Sequence, residues 1–126
     1  IRIEPWGRTG VDEAQEYFRE QAQALLEGGA DLFILETFRD LNEIRAAIRA
    51  VRSVCDLSIV AQMTTEEDGN SLDGTPPEAF APALEAEGAA MIFAKKQVEA
   101  MREAGVAAET FCLASRTDLP SLMNRG

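Results

Sequence analysis

Apolar residues recur at helical spacing in several stretches of the chain. The first stretch includes Val11 and Phe18, and it predicts a helix over residues 11–27 that ends at a pair of glycines. A second helix is predicted to begin at Asp40, whose spacing to Glu43 is that of a capping box. The other predicted helices are one over residues 76–87 with Thr75 as its cap, one over 97–104 and a last turn from residue 118.

Short runs of apolar and β-branched residues lie between these helices and predict strands. They occupy residues 31–37, 57–63, 89–94 and 108–114, and a further short strand is predicted over 1–4. The run at 57–63 is almost continuously apolar, which is typical of a parallel strand buried on both faces. Because helices and strands alternate, we predict an α/β fold with a parallel sheet of about four to five strands.

Two architectures fit this alternation in a single domain of 126 residues. One is a flavodoxin-like sandwich with helices on both faces of the sheet. The other is half of a β/α barrel, since a complete barrel typically needs about 250 residues. A half-barrel exposes its inner face and two strand edges, so it predicts a homodimer. The charged, soluble composition favours the sandwich.

The charge of the chain narrows its partners. The net charge is −10, and the basic residues are scattered, so we expect no nucleic acid partner and no membrane partner. The chain has no histidine and two cysteines, Cys55 and Cys112, which we interpret as small buried hydrophobes. Two thiols do not make a zinc site, so we predict no metal ligands. A cytoplasmic location is the expectation for free thiols.

The strand over residues 31–37 carries the main candidate for chemistry. It delivers Glu36 to its carboxyl end, and ligands of parallel α/β folds bind at that edge of the sheet. A carboxylate there can bind an amino group, or it can cap the following helix. Weaker candidates, each with an ordinary surface alternative, are an anion site at Lys95, Lys96 and Arg116 and a calcium-like loop over 68–74.

Several segments resemble a known family. They are residues 28–38, which read Gly-Gly-Ala-Asp-Leu-Phe-Ile-Leu-Glu-Thr-Phe, then 42–44, 59–65 and 69–80. Over residues 1–92 they are similar to the zinc-dependent homocysteine S-methyltransferase domain, in the form fused to methylenetetrahydrofolate reductase. The resemblance implies middle βα units of a β/α barrel, and methyl transfer to the sulfur of homocysteine on zinc held by three cysteines.

The resemblance also implies roles for individual residues. Glu36 matches the glutamate that binds the amino group of homocysteine, and Thr37 matches its neighbour, so both are predicted to bind substrate. The first zinc cysteine of the family is expected at the end of strand 89–94, where this chain has Lys95 and Lys96. Residues 97–126 depart from the family. The sequence therefore predicts a family-like part over 1–96, a divergent part after it, and no catalytic residue.

Three functions follow as hypotheses. The first is a truncated, recombined or designed scaffold without methyl transfer activity, because a thiol without zinc keeps a pKa of about 8.5 and is poorly activated. The second is a remnant of the methyltransferase that still binds homocysteine or another small amino acid. The third is a cobalamin-binding module with the flavodoxin-like fold. The absence of histidine argues against the type of module that ligates cobalamin through a histidine.

Overall fold

A computed structural model describes residues 2–96 and 110–113. The elements within these ranges are, in chain order, α1 Val11–Glu27, β1 Phe33–Phe38, α2 Leu41–Val54, β2 Ile59–Thr65, α3 Pro77–Ala86, β3 Met91–Lys96 and β4 Thr110–Leu113. The α/β class and the alternation are confirmed, and the first helix has the bounds that its apolar spacing predicts. The helix predicted over 97–104 and the turn predicted from 118 lie outside the described residues.

The strands form one sheet in the order β1-β2-β3-β4. The first three are parallel, with Phe33 opposite Ile59 and Ala61 opposite Ile92. β4 pairs with β3 in the antiparallel sense, so the prediction that the fourth strand is parallel is wrong. A run of four apolar or β-favouring residues carries no signal of direction. The direction of a strand depends on the connection that precedes it, since a parallel neighbour needs a crossover that returns the chain to the opposite end of the strands.

The hydrophobic core lies on one face of this sheet. Side chains on successive residues of a strand point to opposite faces, and the apolar core residues of β2 and β3 occupy alternate positions. The core combines Phe33 of β1, Ile59, Ala61 and Met63 of β2, Ile92 and Ala94 of β3, Ala22 of α1, Ile44, Ile48 and Val51 of α2, and Phe80 and Leu84 of α3. Both predicted architectures contain such a layer of helices. They differ in the second face, where Ile34 is 61% exposed.

The starts of α2 and α3 differ in how well the sequence predicts them. The Asp40 side chain accepts a hydrogen bond from the Glu43 backbone N–H at 2.9 Å, which confirms the predicted cap of α2. The prediction for α3 is wrong by one position, because its cap is Pro76 and not Thr75. The Thr75 N–H instead donates within the preceding loop, to Ser71 Oγ at 3.1 Å.

Ion pairs fasten α2 to the end of α3. Glu87, the C-cap of α3, accepts hydrogen bonds from Arg45 Nε at 2.9 Å and from Arg49 Nη2 at 2.6 Å. The two arginines lie one turn apart, so both reach the same carboxylate. Arg52 extends this contact by donating to the backbone carbonyl oxygen of Gly88 at 2.8 Å.

Candidate functional site

The carboxyl end of β1 is irregular. Leu35 pairs with Ala61 and Phe38 pairs with Met63, so the two residues Glu36 and Thr37 stand opposite one residue of β2. This is a β-bulge, a feature that is common at sheet edges and next to active sites. The bulge shifts the alternation by one position, and Phe38 thereby joins the core face instead of the opposite face.

Thr37 carries the conformational cost of this bulge. Its φ is +62°, in the left-handed region, and among the described residues it is the one residue other than glycine with a positive φ. For a β-branched side chain this conformation is a genuine outlier, with a cost of about 1–3 kcal/mol. Such strain persists only where the surroundings impose it, and it is concentrated at functional sites.

The bulge separates the two residues that the sequence analysis predicts to bind substrate. Glu36 is exposed and lines a cleft of about 290 Å³ between α1 and β1, whose walls include Phe18, Leu25 and Ile34. Thr37 is also exposed, but it lines a different cleft. The two side chains therefore face neighbouring hollows at one end of β1.

The second cleft, which we call the head cleft, has a volume of about 200 Å³. It lies between the N-terminal segment and the turn that joins β1 to α2. An isolated bridge between Ile3 and Thr9 holds the N-terminal segment in a loop. The head cleft is lined by four charged residues, three apolar ones and a threonine: Arg2, Arg39, Asp40, Glu43, Ile3, Trp6, Leu72 and Thr37.

The charges of the head cleft are two positive and two negative. Asp40 is 6% exposed, and its Oδ1 accepts the capping hydrogen bond. Arg39 Nη2 pairs with Glu66 Oε1 at 2.5 Å. Burial raises the pKa of Glu43, and the negative charge of Asp40 acts in the same direction. The cleft is thus lined by side chains of both signs of charge.

The long loop after β2 closes one side of the head cleft. The Leu72 N–H donates to the Arg39 carbonyl oxygen at 2.9 Å, which ties the loop to the β1–α2 turn. Ser71 is buried, and hydrogen bonds link its hydroxyl to Asp73 and Thr75. These contacts are those of a self-bonded turn, which is the ordinary alternative to the calcium-like interpretation of residues 68–74.

The remaining sequence candidates do not join this site within the described residues. Cys55 is half-buried at the C-cap of α2, packed against the core, in agreement with its interpretation as a small hydrophobe. It lies at the amino-terminal edge of the sheet, opposite to Glu36. The side chains of Lys95, Lys96 and Cys112, and all of Arg116, lie outside the described part of the chain.

Zinc, which the family resemblance implies, does not fit the residues of this chain. Zinc sites use three or four protein ligands, usually cysteine, histidine or a carboxylate. The chain has two cysteines and no histidine, and Cys55 faces apolar neighbours away from the carboxyl end of β1. In residues 2–96 and 110–113 no three Cys, Asp or Glu side chains are grouped as a metal ion would need.

Arg39 and Asp40 are the residues of this site that sequence reasoning missed. The pattern identifies Asp40 as a helix cap, and nothing in it indicates that the residue lines a cleft or that its second carboxylate oxygen is buried without a hydrogen-bond partner among the described residues. The signal that was available is the position of both residues directly after a strand that ends at a ligand-binding edge.

Comparison with known proteins identifies relatives of this chain. The sequence profile of the homocysteine S-methyltransferase family matches residues 4–109, which extends beyond residue 92, where the resemblance read from the sequence ends. A methionine synthase of Mycobacterium tuberculosis is 31% identical over 91 residues, a match that covers 68% of this chain and 8% of that protein. Within the described ranges, none of the helices combines the length and apolar content that a membrane crossing requires.

Proposed function

The chain belongs to the homocysteine S-methyltransferase family, and we propose that it is a half-barrel scaffold of that family. In this proposal it binds a small amino acid at the carboxyl end of β1 and transfers no methyl group by itself. The observation that carries the proposal is the position of Glu36, an exposed carboxylate held by a strained bulge at the edge where ligands of parallel sheets bind.

The one-sided core supports the half-barrel over the sandwich. All three described helices contribute to the same core face of β1, β2 and β3. On the opposite face Ile34 is exposed and Val60 and Gln62 are half-buried, where a sandwich would place a second layer of helices. An exposed inner face of this kind is the surface that further βα units, or a second copy, would cover.

A ligand with an amino group is supported by the chemistry of Glu36. The family resemblance implies that this glutamate binds the ammonium of homocysteine. Its carboxylate is exposed at the rim of the cleft beside α1 and can reach toward a bound molecule. A hydrogen bond between an ammonium and a carboxylate is charge-assisted, and such a bond contributes about 1.5–3 kcal/mol.

The proposed lack of methyl transfer rests on the activation of the substrate thiol, for which this chain has no zinc site among its described residues. Methyl transfer to sulfur needs the thiolate, and a free thiol with a pKa of about 8.5 is mostly protonated near neutral pH. The two cysteines and the lack of histidine leave no zinc site among the described residues that could lower this pKa.

Calorimetric titration with L-homocysteine tests the proposal. We expect saturable binding that Glu36→Gln weakens by about tenfold, because an ammonium partner is lost. Asp31→Asn is the matched control, since it removes one exposed carboxylate at the amino-terminal end of β1. No binding, or equal effects of the two variants, would contradict the binding site.

Metal analysis of the purified chain tests the second half of the proposal. We expect no stoichiometric zinc, with or without added homocysteine. One zinc ion for each chain would contradict the proposal, because the thiol of a bound homocysteine could then be activated by the metal.

A further inference from the structure

Strand β1 is the first strand of the sheet, and in the described part of the chain it has a neighbour on one side only. The Phe33 N–H donates to the Ser58 carbonyl oxygen at 2.9 Å, on the side of β2. Backbone groups of successive residues in a strand point to opposite sides, so the N–H and the carbonyl oxygen of Ile34 point to the open side. Backbone groups exposed in this way form a template for pairing with another strand.

An apolar surface lies beside these backbone groups. The cleft of about 290 Å³ between α1 and β1, which we call the edge cleft, is lined by five of the six residues of β1, so it extends along the strand. From α1 it receives Phe18 and Leu25, and Leu25 is 51% exposed. An apolar cleft along an open strand edge fits an extended segment whose alternate side chains are apolar.

The open edge of β1 is protected at one end. Proteins block the edges of their sheets with charged residues, proline or bulges, and here the bulge at Glu36 and Thr37 ends the regular part of the strand. The residues before the bulge, Phe33, Ile34 and Leu35, are all apolar. Pairing is therefore possible before the bulge, and it leaves the carboxylate of Glu36 available to a small molecule.

The charge around the edge cleft selects the kind of partner. Helix α1 has five acidic residues and one basic residue, Arg19, whose Nε donates to Glu16 at 3.0 Å. The charged side chain in the lining of the cleft is that of Glu36. A second copy of the chain would bring the same acidic helix to this edge, where like charges repel each other. A segment that carries lysine or arginine is attracted instead.

We propose that the open edge of β1 binds an extended segment of another protein, with apolar residues at alternate positions and lysine or arginine at its ends. The backbone groups of Ile34 exchange hydrogen bonds with this segment, and its apolar side chains pack against Phe18 and Leu25. This interaction surface goes beyond amino-acid binding and does not depend on it.

The test measures fluorescence anisotropy of a labelled octapeptide mixed with the 126-residue chain. The peptide alternates valine and threonine between two terminal lysines. A second peptide has glutamate at both ends, and a third has N-methylated amides that cannot donate hydrogen bonds.

Two variants of the chain locate the site of binding. Leu25→Lys removes an apolar contact from the edge cleft and places a positive charge there. Ala24→Lys is the matched control, because Ala24 is the exposed neighbour on the same helix and does not line the cleft. Thermal unfolding verifies that both variants are folded.

The expected result is saturable binding of the peptide with terminal lysines. The peptide with terminal glutamates binds at least about tenfold more weakly, and this difference decreases as salt is added. The N-methylated peptide does not bind. Leu25→Lys weakens binding by about tenfold, and Ala24→Lys leaves it unchanged. Hydrogen exchange of the Ile34 amide slows in the complex, while that of Leu35, which is paired with β2, stays the same.

Three outcomes would overturn the proposal. The first is that the peptide with terminal lysines does not bind, or that all three peptides bind equally. The second is protection of the Ile34 amide without peptide that increases with protein concentration, which would assign the edge to a second copy. The third is protection without peptide that is independent of concentration, which would assign the edge to a segment of the same chain.

Discussion

The rings of Phe18 and Phe38 lie 5.7 Å apart between their centroids, with an angle of 53° between their planes, and they join α1 to the carboxyl end of β1. This contact exists because the bulge at Glu36 and Thr37 turns Phe38 to the core face. In a regular strand Phe38 would point to the opposite face. The aromatic contact thus stabilises the strained bulge, and the bulge places the candidate site.

A double-mutant cycle tests this coupling. We expect Phe18→Leu and Phe38→Leu each to lower the free energy of unfolding by about 1 kcal/mol, since leucine fills most of the volume. Tilted aromatic pairs contribute about 0.5–1.5 kcal/mol beyond their buried area, so the double variant should lose less than the sum of the single ones. Chemical denaturation measures all four proteins. Additive losses would show that the two rings act independently.

Relief of strain at Thr37 gives a second prediction. Glycine adopts a positive φ without steric cost, so Thr37→Gly should leave the stability unchanged or raise it by about 1 kcal/mol, after the entropy of the unfolded glycine is counted. Thr65→Gly is the control, because Thr65 is buried in the regular part of β2, and we expect it to lose at least about 1 kcal/mol. A comparable loss for both variants in thermal unfolding would exclude strain at Thr37.

The contact of Glu87 with two arginines predicts a dependence of stability on pH. The hydrogen bond from Arg49, opposed by burial and aided by Arg45, lowers the pKa of Glu87 below its ordinary value of 4.5. A carboxylate with a lowered pKa contributes stability above the pKa of the unfolded chain and loses that contribution as the pH falls through the folded value. Glu87→Gln should therefore cost about 1 kcal/mol near neutral pH and less below pH 4.5.

Chemical denaturation of the unaltered chain and of Glu87→Gln, from neutral pH to below pH 4.5, measures the difference in their free energies of unfolding. Glu85→Gln is the matched control on the same helix, because Glu85 is exposed, and we expect it to have no effect at any pH. A constant difference between Glu87→Gln and the unaltered chain would show that the carboxylate charge is not what stabilises the contact.

The exposed inner face predicts self-association. Under the half-barrel proposal, light scattering should give the mass of a dimer that dissociates on dilution. Ile34→Lys should shift the equilibrium to the monomer without loss of folding, since Ile34 is 61% exposed within one chain. Tyr17→Lys, a change on an exposed position of α1, should leave the dimer intact. A monomer that unfolds cooperatively at every concentration would instead favour a sheet that is closed in a single chain.

The sequence predicts the regular elements well, because their physics is local. The spacing of Val11 and Phe18 defines α1, and the pair Asp40 and Glu43 defines the start of α2. The position of Glu36 at the end of a strand was also predictable. The direction of β4 was not, since it depends on the connection between strands and not on the four residues of the strand.

The details of the site depend on packing and were not predictable. No residue preference indicates a positive φ at Thr37, because threonine disfavours that conformation. The positive φ follows from the bulge that allows Phe38 to pack against Phe18. In the same way, the burial of Asp40 Oδ2 without a partner among the described residues depends on tertiary packing, and a capping pattern carries no information about the second oxygen.

Titration of the isotope-labelled chain with L-homocysteine, monitored by the chemical shifts of its amides, tests the central claim most directly. The account predicts saturable changes at Glu36, Thr37 and the Arg39–Asp40 turn, with little change at Asp31 and Cys55 on the opposite edge of the sheet. Absence of saturable changes, or changes concentrated at the opposite edge, would contradict amino-acid binding at the carboxyl end of β1.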